Sequence, residues 1–128
     1  MVKNKKALII EKEISSEGLS KIVVHGMQEK KAENIVVLDL RHIKGAVCDY
    51  FILCSGNSDA QIDAISDSIE EEVYKGSKQI VWHREGKEFK EWLLLDYVDV
   101  VCHIFKKDKR AFYGLEELWG DAKLTQIE

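Results

Sequence analysis

Apolar positions are densest between Glu91 and Trp119, where two strand-length runs and a helical run follow one another with almost no spacer. Trp92-Leu93-Leu94-Leu95 ends at Asp96-Tyr97-Val98-Asp99, and Val100-Val101-Cys102-His103-Ile104-Phe105 follows, which predicts two strands joined by a tight turn. Two-residue alternation puts Trp92, Leu94 and Asp96 on one face and Leu93, Leu95 and Tyr97 on the other. Both faces are largely apolar, as in a central strand covered on both sides. In the second run Val101, His103 and Phe105 oppose Val100, Cys102 and Ile104, again without a wholly polar face. The charged residues Lys106 to Arg110 end the pattern, and Phe112, Leu115 and Leu118 or Trp119 then recur at helical spacing, so a short helix should fold back over the sheet.

Upstream, residues 1–16 carry mixed charge without sustained periodicity and read as an N-terminal extension. Leu19, Ile22, Val23, Gly26 and Met27 mark one side of an amphipathic helix over Gly18 to Ala32, with Ser15, Ser16 or Ser20 available as its cap. Ile35 to Leu40 and Asp49 to Ser55 are β-branched or aromatic runs, expected to be antiparallel neighbours. Ser55-Gly56-Asn57-Ser58 stops the second and starts a helix whose buried stripe is Ile62, Ile65, Ile69 and Val73, ending at Gly76. Gln79 to Trp82 supplies one more short strand before the loop Arg84 to Lys90. The sum is a single α/β sandwich over 17–123, with a mixed sheet of about five strands and a C-terminal tail at 124–128.

Composition narrows the function. Charged residues make up 33% and hydrophobic ones 45% of 128 residues, ordinary values for one globular domain. No stretch reaches bilayer-spanning length, and the apolar run Ala7 to Ile10 is too short for a signal peptide. Cys48, Cys54 and Cys102 lack paired spacing, which predicts reduced thiols in a cytoplasmic protein and neither a metal site nor a cofactor. A net charge of −4 argues against a surface that binds nucleic acid mainly through phosphates, although an acidic protein can dock on a basic protein of an RNA machine.

The Ser55 to Ser58 turn invites comparison with the loop opening a nucleotide-binding helix. Phosphoryl transfer there would need carboxylates beside that turn, and only Asp39, Asp96 and Asp99 are strand-associated acids. Helix capping is the simpler reading. His103 with Asp96 or Asp99 suggests a base and its orienting acid, but Cys102 points to the opposite face and leaves no nucleophile. A hydrogen-bonded structural or interface histidine fits better. The acids from Asp59 to Glu72 form either a solvated face or a surface steering a basic partner. Trp92 suits the core and an interface anchor equally well.

Several motifs then align. Glu85-Gly86, Trp92 to Asp96, Asp99-Val100-Val101-Cys102-His103 and Arg110 to Trp119, with Leu38-Asp39, Asp49 to Ile52 and Ser55 to Ser58 upstream, resemble the ribosomal silencing factor family, also called Iojap-related. The resemblance spans roughly Leu19 to Lys123; Cys102, where the family usually has valine, and Trp82-His83 are its departures. It implies a nucleotidyltransferase-like fold without catalysis. It also implies binding to the large ribosomal subunit through its fourteenth protein, which blocks joining of the small subunit and represses translation. Trp92 and Leu93 would then provide the apolar contact, and Asp96, Asp99 and His103 its polar surroundings. Phe112, Tyr113 and Trp119 are expected to pack the helix on the sheet, with Arg110 and Glu116 as a salt-bridged rim. A nucleotidyltransferase-like enzyme and a homodimeric adaptor are the competing readings.

Overall fold

Ser15 opens the first helix in extended backbone, its Oγ accepting the Gly18 N–H at 3.0 Å. The computed structural model describes residues 14–127, so the expected N-terminal extension lies almost wholly outside it. Helix α1 (Ser16–Glu29) starts two residues before the predicted Gly18 and buries Leu19, Val23, Gly26 and Met27. Strand β1 (Glu33–Asp39) pairs antiparallel with β2 (Tyr50–Gly56), as expected, with Val37 opposite Ile52. All seven residues of β2 are buried, which makes it the centre of the sheet.

Helix α2 (Asp59–Ser77) is capped by Ser58, whose Oγ accepts the Gln61 N–H, and it buries the whole predicted stripe of Ile62, Ile65, Ile69 and Val73. It runs one residue past Gly76 and ends on Lys78 in the left-handed region, at φ 62°. Gly76 is small for another reason: a Cβ there would meet Ile22 Cδ1 at 2.7 Å, where α1 lies alongside.

The next strand, β3, is His83–Glu85 rather than Gln79 to Trp82. Its partner β4 (Trp92–Asp96) reaches only as far as Asp96 opposite His83, and the Trp82 N–H to Asp96 C=O bond closes the ladder. Val81 enters the core, while Ile80 and Trp82 remain about three-quarters exposed at 75% and 70%. Strand β5 (Val100–Lys106) pairs antiparallel with β4 and parallel with β2. Val98, between them, sits at φ 75° with the Asp99 N–H bonded to the Tyr97 carbonyl, a strained three-residue turn.

One short helix was expected next; two single turns are found, α3 (Arg110–Tyr113) and α4 (Leu115–Leu118), because Gly114 adopts φ 60° between them. A sixth strand, β6 (Lys123–Gln126), lies mostly in the expected tail and pairs with the free side of β1. The sheet is therefore mixed α/β as predicted, with six strands instead of about five, in the order β3-β4-β5-β2-β1-β6.

The two faces of this sheet are covered unequally. Leu93, Leu95, Val100, Cys102 and Ile104 point into a core closed by α1 and α2. Val101, Phe105, Phe51 and Leu53 point the other way, where among the described residues they lie beneath only the single turns α3 and α4 and the loops around them.

Candidate docking surface

On the thinly covered face β4 begins with Trp92, directly opposite Phe105 on β5. The indole lies 5.2 Å from the Phe105 ring and 4.9 Å from Tyr113, and its Nε1–H donates to His103 Nδ1 at 3.0 Å. His103 is only 3% exposed, and burial pulls its pKa down to about 3. It is therefore neutral near pH 7, with Nδ1 as acceptor and the proton on Nε2. Phe51 lies 4.6 Å from the imidazole at 75°, and Trp119 meets Phe51 edge-on at 5.6 Å. Trp119 thus packs on the sheet as expected.

Gly86 brings the β3–β4 loop over this row. It stands at φ 85°, and a Cβ would collide with the Trp92 carbonyl, so only glycine lets the loop approach so closely. Between loop, strand and α3 opens a cleft of about 510 Å³, floored by Trp92 and Leu94 and walled by Phe89, Tyr113, Glu85 and Glu91. The Tyr113 hydroxyl donates to Glu91 Oε1 at 3.1 Å across it, and this bond raises the pKa of the phenol. Phe89 and Phe112 are 80% and 78% exposed on either side, and Leu118 on α4 is 76% exposed. Phe112 therefore does not pack on the sheet, contrary to the sequence reading. Exposed large apolar side chains at and beside a cleft are a feature of surfaces that bind a partner.

Arg110 holds α3 in place. Its guanidinium donates to the Asn34 carbonyl at 2.6 Å, to Ser55 Oγ at 3.0 Å and to both oxygens of Glu116. The Arg110–Glu116 pair exists as expected, but its arginine is an internal anchor more than a rim charge.

The candidate residues do not all converge. Trp92 and His103 meet directly. Leu93 is fully buried on the opposite face against the helices, so it cannot furnish surface contact; alternation makes Leu94 the neighbour of Trp92. Asp96 and Asp99 sit at the far end of the hairpin, about 13 Å along the strand from Trp92. There Asp96 Oδ1 accepts the Val98 N–H at 2.7 Å, and the Asp99 carbonyl receives the Asp49 and Tyr50 N–H groups. Both aspartates shape the turn. Phe89, a lone aromatic in a charged loop, has no periodicity that marks it in the sequence.

The turn at Ser55 to Ser58 is engaged internally. Ser58 caps α2, the Asn57 amide donates to Glu33, and Ser55 receives Arg110. Asp39, Asp96 and Asp99 lie at the other end of the strands, where Asp39 is opposite Tyr50 and Asp96 opposite Val101. The seven residues of β2 separate that end from the turn by roughly 20 Å. Those acids and that turn cannot act on one phosphate. Among the described residues no three His, Cys, Asp or Glu side chains are grouped to hold a metal ion, and no helix is long and apolar enough to cross a membrane.

The acidic face of α2 is largely occupied by the chain's own cations. Asp59 meets Lys106 at 2.6 Å, Asp63 meets Lys90 at 3.7 Å, and Glu70 takes a bidentate bond from Arg84. The Asp63–Lys90 pair tethers the loop that walls the cleft, while the other two pairs hold β3 and the end of β5.

The model of the family described as ribosomal silencing factor during starvation matches residues 13–128. The chain belongs to that family. The ribosomal silencing factor of Bacillus subtilis is 39% identical over 115 residues, covering 90% of this chain and 96% of the relative. A crystal structure of a Chromobacterium violaceum protein superposes with a TM-score of 0.78 at 26% identity, over 90% of this chain and 94% of that one. More distantly, mouse mitochondrial assembly of ribosomal large subunit protein 1 is 28% identical over 113 residues, covering 83% of this chain and 49% of the relative. The sequence pattern is thus shared with ribosomal silencing factors, and the fold with a solved bacterial protein.

Proposed function

We propose that this protein silences ribosomes sterically. It docks through the Trp92 cleft on the fourteenth protein of the large ribosomal subunit and occupies the space that the small subunit must enter, repressing translation in the cytoplasm without turnover. The observation that carries this reading is the half-buried Trp92, packed on Phe105 and Tyr113 in a cleft walled by exposed Phe89. Aromatic side chains are enriched among interface anchors, and acids at the rim suit a basic protein surface. Family membership supplies the ribosome, and the name of the mouse relative points to its large subunit.

The test mixes the purified protein with isolated large ribosomal subunits before adding small subunits and resolves the particles on a sucrose gradient. The protein is expected to sediment with large subunits and to reduce joined ribosomes in proportion to its occupancy. Trp92→Ala should weaken cosedimentation by about thirtyfold, the effect of losing ~2 kcal/mol at an anchor. It should keep the circular dichroism of the folded domain. Full joining in the presence of saturating protein sinks the proposal.

A further inference from the structure

We infer that His103 is a positioning residue: its Nδ1 lone pair fixes the orientation of the Trp92 indole and thereby keeps the cleft open, without His103 touching the partner. The inference rests on the docking reading for its consequence and on geometry for its cause. Trp92 faces Phe105 across the β4–β5 pair and His103 faces Leu94, so the indole reaches one residue pair diagonally to find its acceptor. Trp92, His103 and Phe105 share one sheet face, and diagonal neighbours on a shared face are within reach of long aromatic side chains.

His103 is too deeply buried to meet a docked protein. Its Nε2 has no hydrogen-bond partner among the described residues, so the imidazole is retained at the expense of one unsatisfied buried donor. An apolar residue would avoid that loss. What an apolar residue lacks is an acceptor for the indole N–H, and among the described residues the Trp92–His103 bond is the one hydrogen bond the imidazole makes. Without it the indole must turn to reach water, and the surface available for that turn is the cleft it shares with Leu94, Phe89 and Tyr113.

The bond can be observed directly. In uniformly ¹⁵N-labelled protein an N–H···N bond transmits a scalar coupling between its two nitrogens, so a cross-peak is expected from Trp92 Nε1 to His103 Nδ1, assigned by its loss in Trp92→Phe. A proton on Nδ1, or no coupling, overturns the inference whatever the ribosome does. Binding is then measured with purified large ribosomal subunits for His103→Leu, His103→Asn, Trp92→Phe and the Trp92→Phe/His103→Leu double variant. His103→Leu should weaken binding about tenfold, as expected for stranding a buried donor. His103→Asn, whose Oδ1 stands near the position of Nδ1, should recover most of it. In the Trp92→Phe background, which has no indole N–H, His103→Leu should cost little more.

Additive losses, or equal losses for Leu and Asn, would assign His103 to packing and overturn the inference while leaving the docking reading intact. If wild-type protein ignores large subunits, the docking reading falls, and the coupling together with indole hydrogen exchange in His103→Leu still decides the positioning role.

Discussion

Residue by residue, the docking face depends on which side of β4 a side chain takes. Leu93 and Leu94 are chemically the same and adjacent in sequence, but one is sealed under the helices and the other floors the cleft. Leu93→Ala is expected to destabilise the fold by about 2–5 kcal/mol, read from urea unfolding, through the cavity it leaves. Leu94→Ala should chiefly weaken cosedimentation with large subunits. His103 adds a pH signature. Its pKa is about 3 in the folded chain against an ordinary 6.5, so between these values the unfolded chain binds the extra proton. Stability is then complete above about pH 6.5 and declines as pH falls toward 3. The interval from pH 6.5 to 5 lies above the usual carboxylate range, and comparison with His103→Asn isolates the effect from the other histidines. Unfolding free energy should fall across it for wild type and stay flatter for His103→Asn.

Among the elements, the two long helices meet backbone to backbone at a glycine. A Cβ on Gly26 would stand 2.9 Å from Ile69 Cα, a backbone atom that cannot swing away, and Ser68 Oγ donates to the Gly26 carbonyl at 2.8 Å in the same crossing. In an ordinary helix Gly→Ala stabilises. Here Gly26→Ala should reverse that sign and lower stability by about 1–3 kcal/mol, measured as a fall in Tm, because the helices must separate. The hairpin of β4 and β5 carries the opposite kind of constraint. Val98 is held at a positive φ that a β-branched residue rarely adopts, fixed by Asp96 on one side and the Tyr97–Asp99 bond on the other. That explains why two aspartates expected beside the anchor are found at the turn.

For the whole molecule, the decisive property is unequal cover. Helices α1 and α2 seal one face of the sheet, leaving the other to the single turns α3 and α4, with Arg110 fastening them to β1 and β2. Such a body presents a stiff sheet with an aromatic cleft outward, as a steric blocker requires. Its outer edge is closed by β6, paired to β1 from Val36 to Asp39. Removing residues 123–128 should therefore bare a strand edge that includes Val36 and Leu38. Both a lower Tm and concentration-dependent self-association in light scattering are expected. An unchanged monomer would show that β6 is dispensable.

Alternation and helical spacing by themselves determined the α/β class, the two capped helices with their buried stripes and the β4–β5 hairpin, while the antiparallel β1–β2 pairing was settled by the structure. The former depend on local periodicity, and each side chain reports its own face. The motif from Trp92 to Trp119 likewise indicated the family. Only the tertiary structure decided that β3 begins at His83, since a strand exists where a partner supplies its ladder, and that exposed, polar Lys123–Gln126 is a strand at all. It also decided that Gly114 splits the last helix and that Phe89, distant in register and solitary in its loop, meets Trp92 across a cleft. Pairing, glycine-enforced turns and convergence from separate elements are relations between segments, and a single stretch of sequence carries no record of its partner.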